Sequence, residues 1–313
     1  MGDVAGFLPS RNGLHYPNHW PDEPDITIPM PPPFPPITIG DAANGLCGGM
    51  VFGVLDLFNA GQLPPATTQN PADPSPAFND IVQRLLDSFN IPAGVIQYYT
   101  WMQLPAHDDQ VNLFGNTITL ITGTSGLTIN QSMPVIRSTI DAMHPCPLGL
   151  VTVHAADPAQ LGMNHQVLAW GYEDSGAMTT VKVYDPNLPD DDNVAITFDH
   201  TDPAHTTTFN YSGNDTVLGF FPITWYAPKD PSPLGGTTSP PPTGTVPNVI
   251  DLSPSTAMAR IQAAGFTYSP SADKVEGNFT PYVEYQDPDG GTTRPLGSAV
   301  NVTIAVPVKG PPP

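Results

Sequence analysis

Three residues of this chain have the types and order needed for thiol-based nucleophilic chemistry. Cys47 lies in NGLCGGMVFGVLDLFN (44–59), where a small-residue turn passes into an apolar helical run. A cysteine at the first turn of a helix faces unpaired N–H groups and the positive end of the helix dipole, which stabilise a thiolate. A free thiol has a pKa of about 8.5, and helix N-termini or cationic neighbours bring it down to roughly 3.5–7.5. His165 opens the strand-like run NHQVLAWGYE, and Asp185 closes the next one, VKVYDPN. In such a set the thiolate attacks a carbonyl, the imidazole pairs with it and then protonates the leaving amine, and the carboxylate orients the imidazole. Two duller readings compete: Cys47 as an inert cysteine capping a core helix, and Cys47 bridged to Cys146. Without a bridge, Cys146 is a spare thiol in the turn HPCPLG.

The elements that must position these residues fall into a helical part followed by a strand part. After the Cys47 helix, Ser75 and Pro76 make an N-cap and first-turn pair. Phe78, Ile81, Val82, Leu85, Leu86 and Phe89 then follow on one helical face. Further helices are expected over Val95–Gln103 and Ser132–Met143. The aromatic stripe Tyr98, Tyr99 and Trp101 reads as core. From residue 148 onward six β-branched or aromatic runs are separated by turn residues: 148–155, 165–173, 179–186, 193–200, 206–212 and 219–226. Helices first and strands second, without βαβ alternation, predict an α+β fold with an antiparallel, barrel-like sheet. Adjacent strands lie about 4.8 Å apart, so His165 and Asp185 at matching ends come within hydrogen-bonding reach.

Residues 1–40 read as a proline- and aromatic-rich arm. PMPPPFPP (29–36) is expected as polyproline II, and Phe7, His15, Tyr16, Trp20 and Phe34 suggest that the arm docks. Residues 229–245, KDPSPLGGTTSPPPTGT, have linker composition. Residues 246–266 read as strand, turn and helix, with Ser253 or Ser255 as cap and Gly265 at the C-terminal turn. Two strand-like runs, 280–288 and 298–306, complete a small unit, and 308–313 is a tail.

Composition narrows the partners. With 9 basic against 29 acidic residues the formal net charge is −20, which disfavours nucleic acid and anionic membrane surfaces. No apolar run of about 18 residues exists, so no membrane insertion is expected. The N-terminal MGDVAGFLPS has neither a basic nor an apolar segment of the signal-peptide kind. The 41 prolines and 28 glycines suit an extracellular, cell-surface or virion setting. His107-Asp108-Asp109 and Asp190-Asp191-Asp192 lack calcium-loop spacing and read as solvated acidic loops. His144, His154, His200 and His205 lack zinc spacing. Neither a metal nor a cofactor is expected, and there is no phosphate loop or serine elbow.

NGLCGGM, NHQVLAWGYE and VYDPN together resemble the papain-like superfamily of cysteine peptidases, and most closely the bacterial peptidases that cleave double-glycine leaders. The resemblance covers roughly residues 40–226, within a domain bounded at 41–228. It implies Cys47 as nucleophile, His165 as base and Asp185 as orienter. In that family a glutamine six residues before the cysteine donates to the oxyanion; here Asp41 stands there, and a carboxylate would repel developing negative charge. Asn44 is the substitute donor, with the Cys47 backbone N–H as the second. Residues 246–307 resemble a PASTA domain, through the opening VPNVIDL, the helix ending Ala-Ala-Gly-Phe, and Pro295-Leu296-Gly297-Ser298 before the last strand. Some PASTA domains bind peptidoglycan fragments, while others only space or pack. The implied function is hydrolysis of a peptide, isopeptide or peptidoglycan-type amide bond, with a possible cell-wall ligand for residues 246–307. The alternatives are a catalytically weak or inactive binding protein and a structural surface or virion component.

Overall fold

The computed structural model describes residues 2–20, 26–28, 32, 36–39, 45–205, 208–213, 216–238 and 243–308. Asp41, Asn44 and most of the proline run at 29–36 lie outside them. The chain opens with β1 (Gly2–Asp3), one helical turn, α1 (Pro9–Asn12), and a hairpin of β2 (Ile26–Ile28) and β3 (Ile37–Ile39). The N-terminal segment is anchored, with Phe7, Leu14, Tyr16 and Trp20 in the core.

α2 (Cys47–Asn59) is the central helix. Met50, Val51, Phe52, Val54 and Leu57 are fully buried, each such side chain stabilising the fold by roughly 1.5–3 kcal/mol. A helix apolar nearly all round has to lie inside. After β4 (Gln62–Leu63) comes α3 (Pro76–Ser88), started by Ser75, whose side chain accepts from Phe78 N at 3.1 Å. The two helices approach so closely that a Cβ on Gly49 would strike the Ile81 carbonyl. Arg84 of α3 is fully buried, paired with Asp56 and, at 2.7 Å, with Asp80. It also donates to the Tyr226 hydroxyl and the Asp230 carbonyl at 2.8 and 2.9 Å.

α4 (Ala93–Met102) is followed by a hairpin of β5 (Asp109–Leu113) and β6 (Asn116–Ile121), turned by Phe114 and Gly115 at φ 51° and 85°. The acidic loop expected at 107–109 is thus corrected: it leads into a strand, and Asp108 accepts from Gly123 N at 2.9 Å. The helix expected from Ser132 begins earlier, as α5 (Thr124–Leu127), a π-helical stretch (Thr128–Ser132) and α6 (Met133–Asp141).

The strands β7 (Cys146–Val151), β8 (His165–Ser175), β9 (Met178–Tyr184), β10 (Ala195–Asp199), β11 (Asn210–Tyr211) and β12 (Gly219–Pro222) follow. They form a curled antiparallel half-barrel in the order β11-β10-β9-β8-β7-β12, with β1 also paired to β8. All of β7 and the first eight residues of β8 are buried, and α2 and α6 both pack against these two strands. The register sets Leu150 opposite His165 and Gly149 opposite Gln166.

The linker expected over 229–245 is corrected at both ends. Leu234 is buried in the first core, and β13 (Thr237–Thr238) pairs with β4. β14 (Thr243–Thr245) pairs with β17 (Thr293–Pro295) in the second unit. Prolines and glycines here mark chain that is packed through one buried leucine and backbone pairing. The two compact units are Met1–Ser239 and Pro240–Pro313. In the second, α7 (Pro254–Ala263) is capped by Ser253, and β15 (Thr267–Glu276) runs parallel to β18 (Ala299–Val308), which pairs antiparallel with β16 (Tyr282–Asp287). Val246, Val249, Ile261, Phe266, Val283 and Val300 fill its core. Residues 246–249 form no strand, contrary to expectation, and β15 was not anticipated.

Candidate active site

The site is built where the N-terminus of α2 meets the start of β8. Leu46, the N-cap of α2, has no side-chain acceptor, so the first-turn N–H groups beside Cys47 receive no side-chain cap. Cys47 itself is 7 % exposed. At the next residue, Gly48, an added side chain would crowd polar groups on α3 and β8. A Cβ on Gly48 would lie 2.6 Å from Gln166 Oε1 and 2.8 Å from Ser88 Oγ. Gln166 Nε2 donates to Ser88 Oγ at 3.1 Å, and Ser88 donates to the Leu85 carbonyl at 2.7 Å. A buried polar chain therefore ties α3 to the strand carrying His165, and Gly48 of α2 packs against it.

His165 and Asp185 are 5 % and 1 % exposed. His165 Nε2 and Asp185 Oδ1 are 2.7 Å apart. With Nε2 held by Asp185, Nδ1 is the nitrogen available to the Cys47 sulfur, which lies near enough to act on the imidazole. Burial alone would lower the His165 pKa. The charges of Asp185 and Cys47, with the hydrogen bond to Asp185, outweigh burial and raise it well above the ordinary histidine value. For Asp185 burial works upward, but His165, Tyr211 and the Asn187 N–H hold its carboxyl below the usual range. Asn187 N donates to Asp185 Oδ1 at 2.8 Å, and the Tyr211 hydroxyl donates to Oδ2. The result is a buried carboxylate–imidazolium pair beside the Cys47 sulfur.

Of the residues singled out in the sequence, Cys47, His165 and Asp185 come together; Asp41 and Asn44 lie outside the described residues. Cys47 and Cys146 are both free thiols, so the bridged reading is set aside. Burial in β7 pushes the Cys146 thiol up to about 12. Gln166, Tyr211 and Asn187 were not anticipated. Asn187 had a local signal, since an aspartate commonly accepts from the N–H two residues on. Tyr211 had none, because only sheet curvature brings β11 to Asp185.

Some of the residues read as isolated acids and histidines are also gathered. His107, Asp108, Asp109, His154 and His205 help line a cavity of about 790 Å³ beside the β5–β6 hairpin. Among the described residues no group of three or more His, Cys, Asp or Glu could hold a metal ion. The Asp190–Asp192 loop is not merely solvated: Asp190 pairs with His15 at 2.6 Å, and Asp192 accepts from Ser10 N and Oγ at 2.8 and 2.7 Å.

A family model for the PASTA domain matches residues 244–306. No curated protein and no solved structure matches the chain.

Proposed function

We propose that the first unit is a papain-like cysteine hydrolase acting on a peptide or amide bond, and that the PASTA domain directs it to a bacterial cell-wall ligand. The observation that carries the reading is the convergence at the start of α2, where His165 lies beside Cys47 and is bonded at 2.7 Å to Asp185. In this reading the Cys47 sulfur adds to the carbonyl carbon and the carbonyl electron pair moves onto oxygen. His165 passes its Nδ1 proton to the amide nitrogen, the C–N bond breaks, and the amine departs from a thioester. Water then gives a proton back to His165 and adds to the thioester carbon. The C–S bond breaks, releasing the acid and restoring Cys47. Asp185 keeps the imidazole oriented and its cation stabilised throughout. First-turn N–H groups of α2 are suited to the oxyanion.

Asp41 favours a second reading, that of a peptidase-like binding protein with little turnover, because it occupies the position of the usual oxyanion donor. One experiment separates the two. The intact protein is incubated with iodoacetamide at neutral pH, then with peptide and peptidoglycan-fragment substrates. Selective modification of Cys47, abolished turnover after modification, and loss of both in His165→Ala are expected of the hydrolase. A reactive Cys47 without turnover leaves the binding reading; an inert Cys47 removes the hydrolase reading.

A further inference from the structure

The N-terminal segment reaches the Cys47 centre through Asn18, and we infer that Asn18 is a positioning residue for the nucleophile. The inference rests on the hydrolase reading above. Asn18 is 5 % exposed and touches both halves of the centre. On one side its backbone N–H donates to the Pro186 carbonyl at 2.9 Å, and its Nδ2 donates to Asn187 Oδ1 at 3.1 Å. Asn187 in turn donates its backbone N–H to Asp185 Oδ1 at 2.8 Å. On the other side the Asn18 amide packs on Gly45, two residues before Cys47.

That second contact explains a glycine. A Cβ on Gly45 would sit 2.6 Å from both Asn18 Cγ and Oδ1, and nearer still to Nδ2. Gly45 does not have the left-handed φ that would itself favour glycine. The amide, then, is what excludes a side chain here. Among the described residues Asn18 Oδ1 is buried without a hydrogen-bond partner, a costly state for an amide oxygen. An apolar residue of similar size would avoid that cost but could not hold Asn187.

The segment is pinned on both sides of Asn18. His15 pairs with Asp190, Trp20 Nε1 donates to the Pro71 carbonyl at 2.9 Å, and Asn70 Nδ2 donates to the Pro17 carbonyl at 2.8 Å. Asn18 is thereby a splint of fixed length between the loop that presents Cys47 and the loop that holds Asp185. Its role is to set the sulfur against the imidazole, and misplacement by about 1 Å in such a centre costs as much as 100-fold in rate.

The test is the rate of Cys47 alkylation by iodoacetamide against pH, in the full chain, with sites resolved by peptide mass spectrometry. Cys146, buried in β7, serves as an internal reporter of core opening. Asn18→Ala is expected to slow Cys47 alkylation about tenfold or more with Cys146 unchanged. Gly45→Ala should do the same, and Asn18→Ala/Gly45→Ala should be no slower than either single variant, because the smaller side chain makes room for the methyl. Asn18→Asp, which keeps the size, should raise the pH of half-maximal rate by about one unit. The titratable groups around the sulfur (His165, Asp185, Tyr98, Tyr211) and the His15–Asp190 pair are unaltered in that variant. Wild-type rates and pH profiles in Asn18→Ala and Asn18→Asp, with His165→Ala still slow, would overturn the positioning role and leave the triad standing. A wild-type rate in His165→Ala would remove the triad and this inference with it. Faster alkylation of Cys146 in both Asn18 variants would also overturn the role, reducing Asn18 to a residue that holds the core closed.

Discussion

Replacing Asp185 by asparagine keeps the side-chain size and removes the charge that His165 faces at 2.7 Å. Three hydrogen bonds end on this carboxylate, from His165, the Asn187 N–H and Tyr211. An amide retains one acceptor oxygen, so the Asn187 bond can survive while one or two bonds to a charged acceptor are lost. Each is worth about 1.5–3 kcal/mol, which sets the expected loss at about 1.5–6 kcal/mol in urea unfolding. The loss stays below that of a stranded buried ion, because His165 can release its proton once Asp185 no longer holds it. The sign against pH follows from the two shifts. The raised His165 pKa gives stabilisation fully present below about pH 6.5, the unfolded value, and lost as pH rises through the folded value. The lowered Asp185 pKa gives stabilisation present above about pH 3.9 and lost as pH falls through the folded value. The gap between wild type and Asp185→Asn should therefore be widest between about pH 4 and pH 6.5 and narrow on either side. At pH 7 the variant should also alkylate more slowly at Cys47, since the neutral imidazole no longer pairs with the sulfur. A stability gap that is flat from pH 3 to pH 9 would refute an ionised pair and with it the electrostatic account of the site.

Asp56→Ala should destabilise the first unit by about 3–5 kcal/mol in denaturant unfolding, since it leaves buried Arg84 without its most buried partner. Adding Arg84→Met should restore part of that loss, and a fully additive pair would argue against direct coupling. Residues 243–308 expressed alone should unfold cooperatively, given their separate core, and deleting them should reduce retention on bacterial cell walls without changing turnover of a small substrate. Asp41→Gln should raise turnover by about 10²-fold if a missing oxyanion donor limits the rate; an unchanged rate would place that donor elsewhere.

Local chemistry was legible wherever it left a local trace. The helix from Pro76 announced itself through Ser75, Pro76 and the spacing of Phe78, Ile81 and Leu85. The α7 cap and the left-handed Gly265 could be read in the same way. The hairpin at 109–121 could not, because its residues are mostly exposed and so carry no clear inside–outside alternation. Proline and glycine between 229 and 238 misled for a related reason: composition reports chain stiffness, while the burial of Leu234 and the pairing of Thr237 with Leu63 depend on a distant surface.

The same division runs through the site. Residue types and order sufficed to nominate Cys47, His165 and Asp185, because each sits at the end of an element that its own neighbours define. The PASTA unit was likewise readable from its motifs, and the match to residues 244–306 supports it. What the sequence could not supply were the groups that hold the three in place. Tyr211 reaches Asp185 across the curl of the sheet, Gln166 reaches Gly48 across a helix–strand packing, and Asn18 bridges Gly45 and Asn187 from a segment with no periodicity of its own. Contacts between residues far apart in the chain leave no spacing pattern, so only the closed tertiary structure determines which amide meets which glycine.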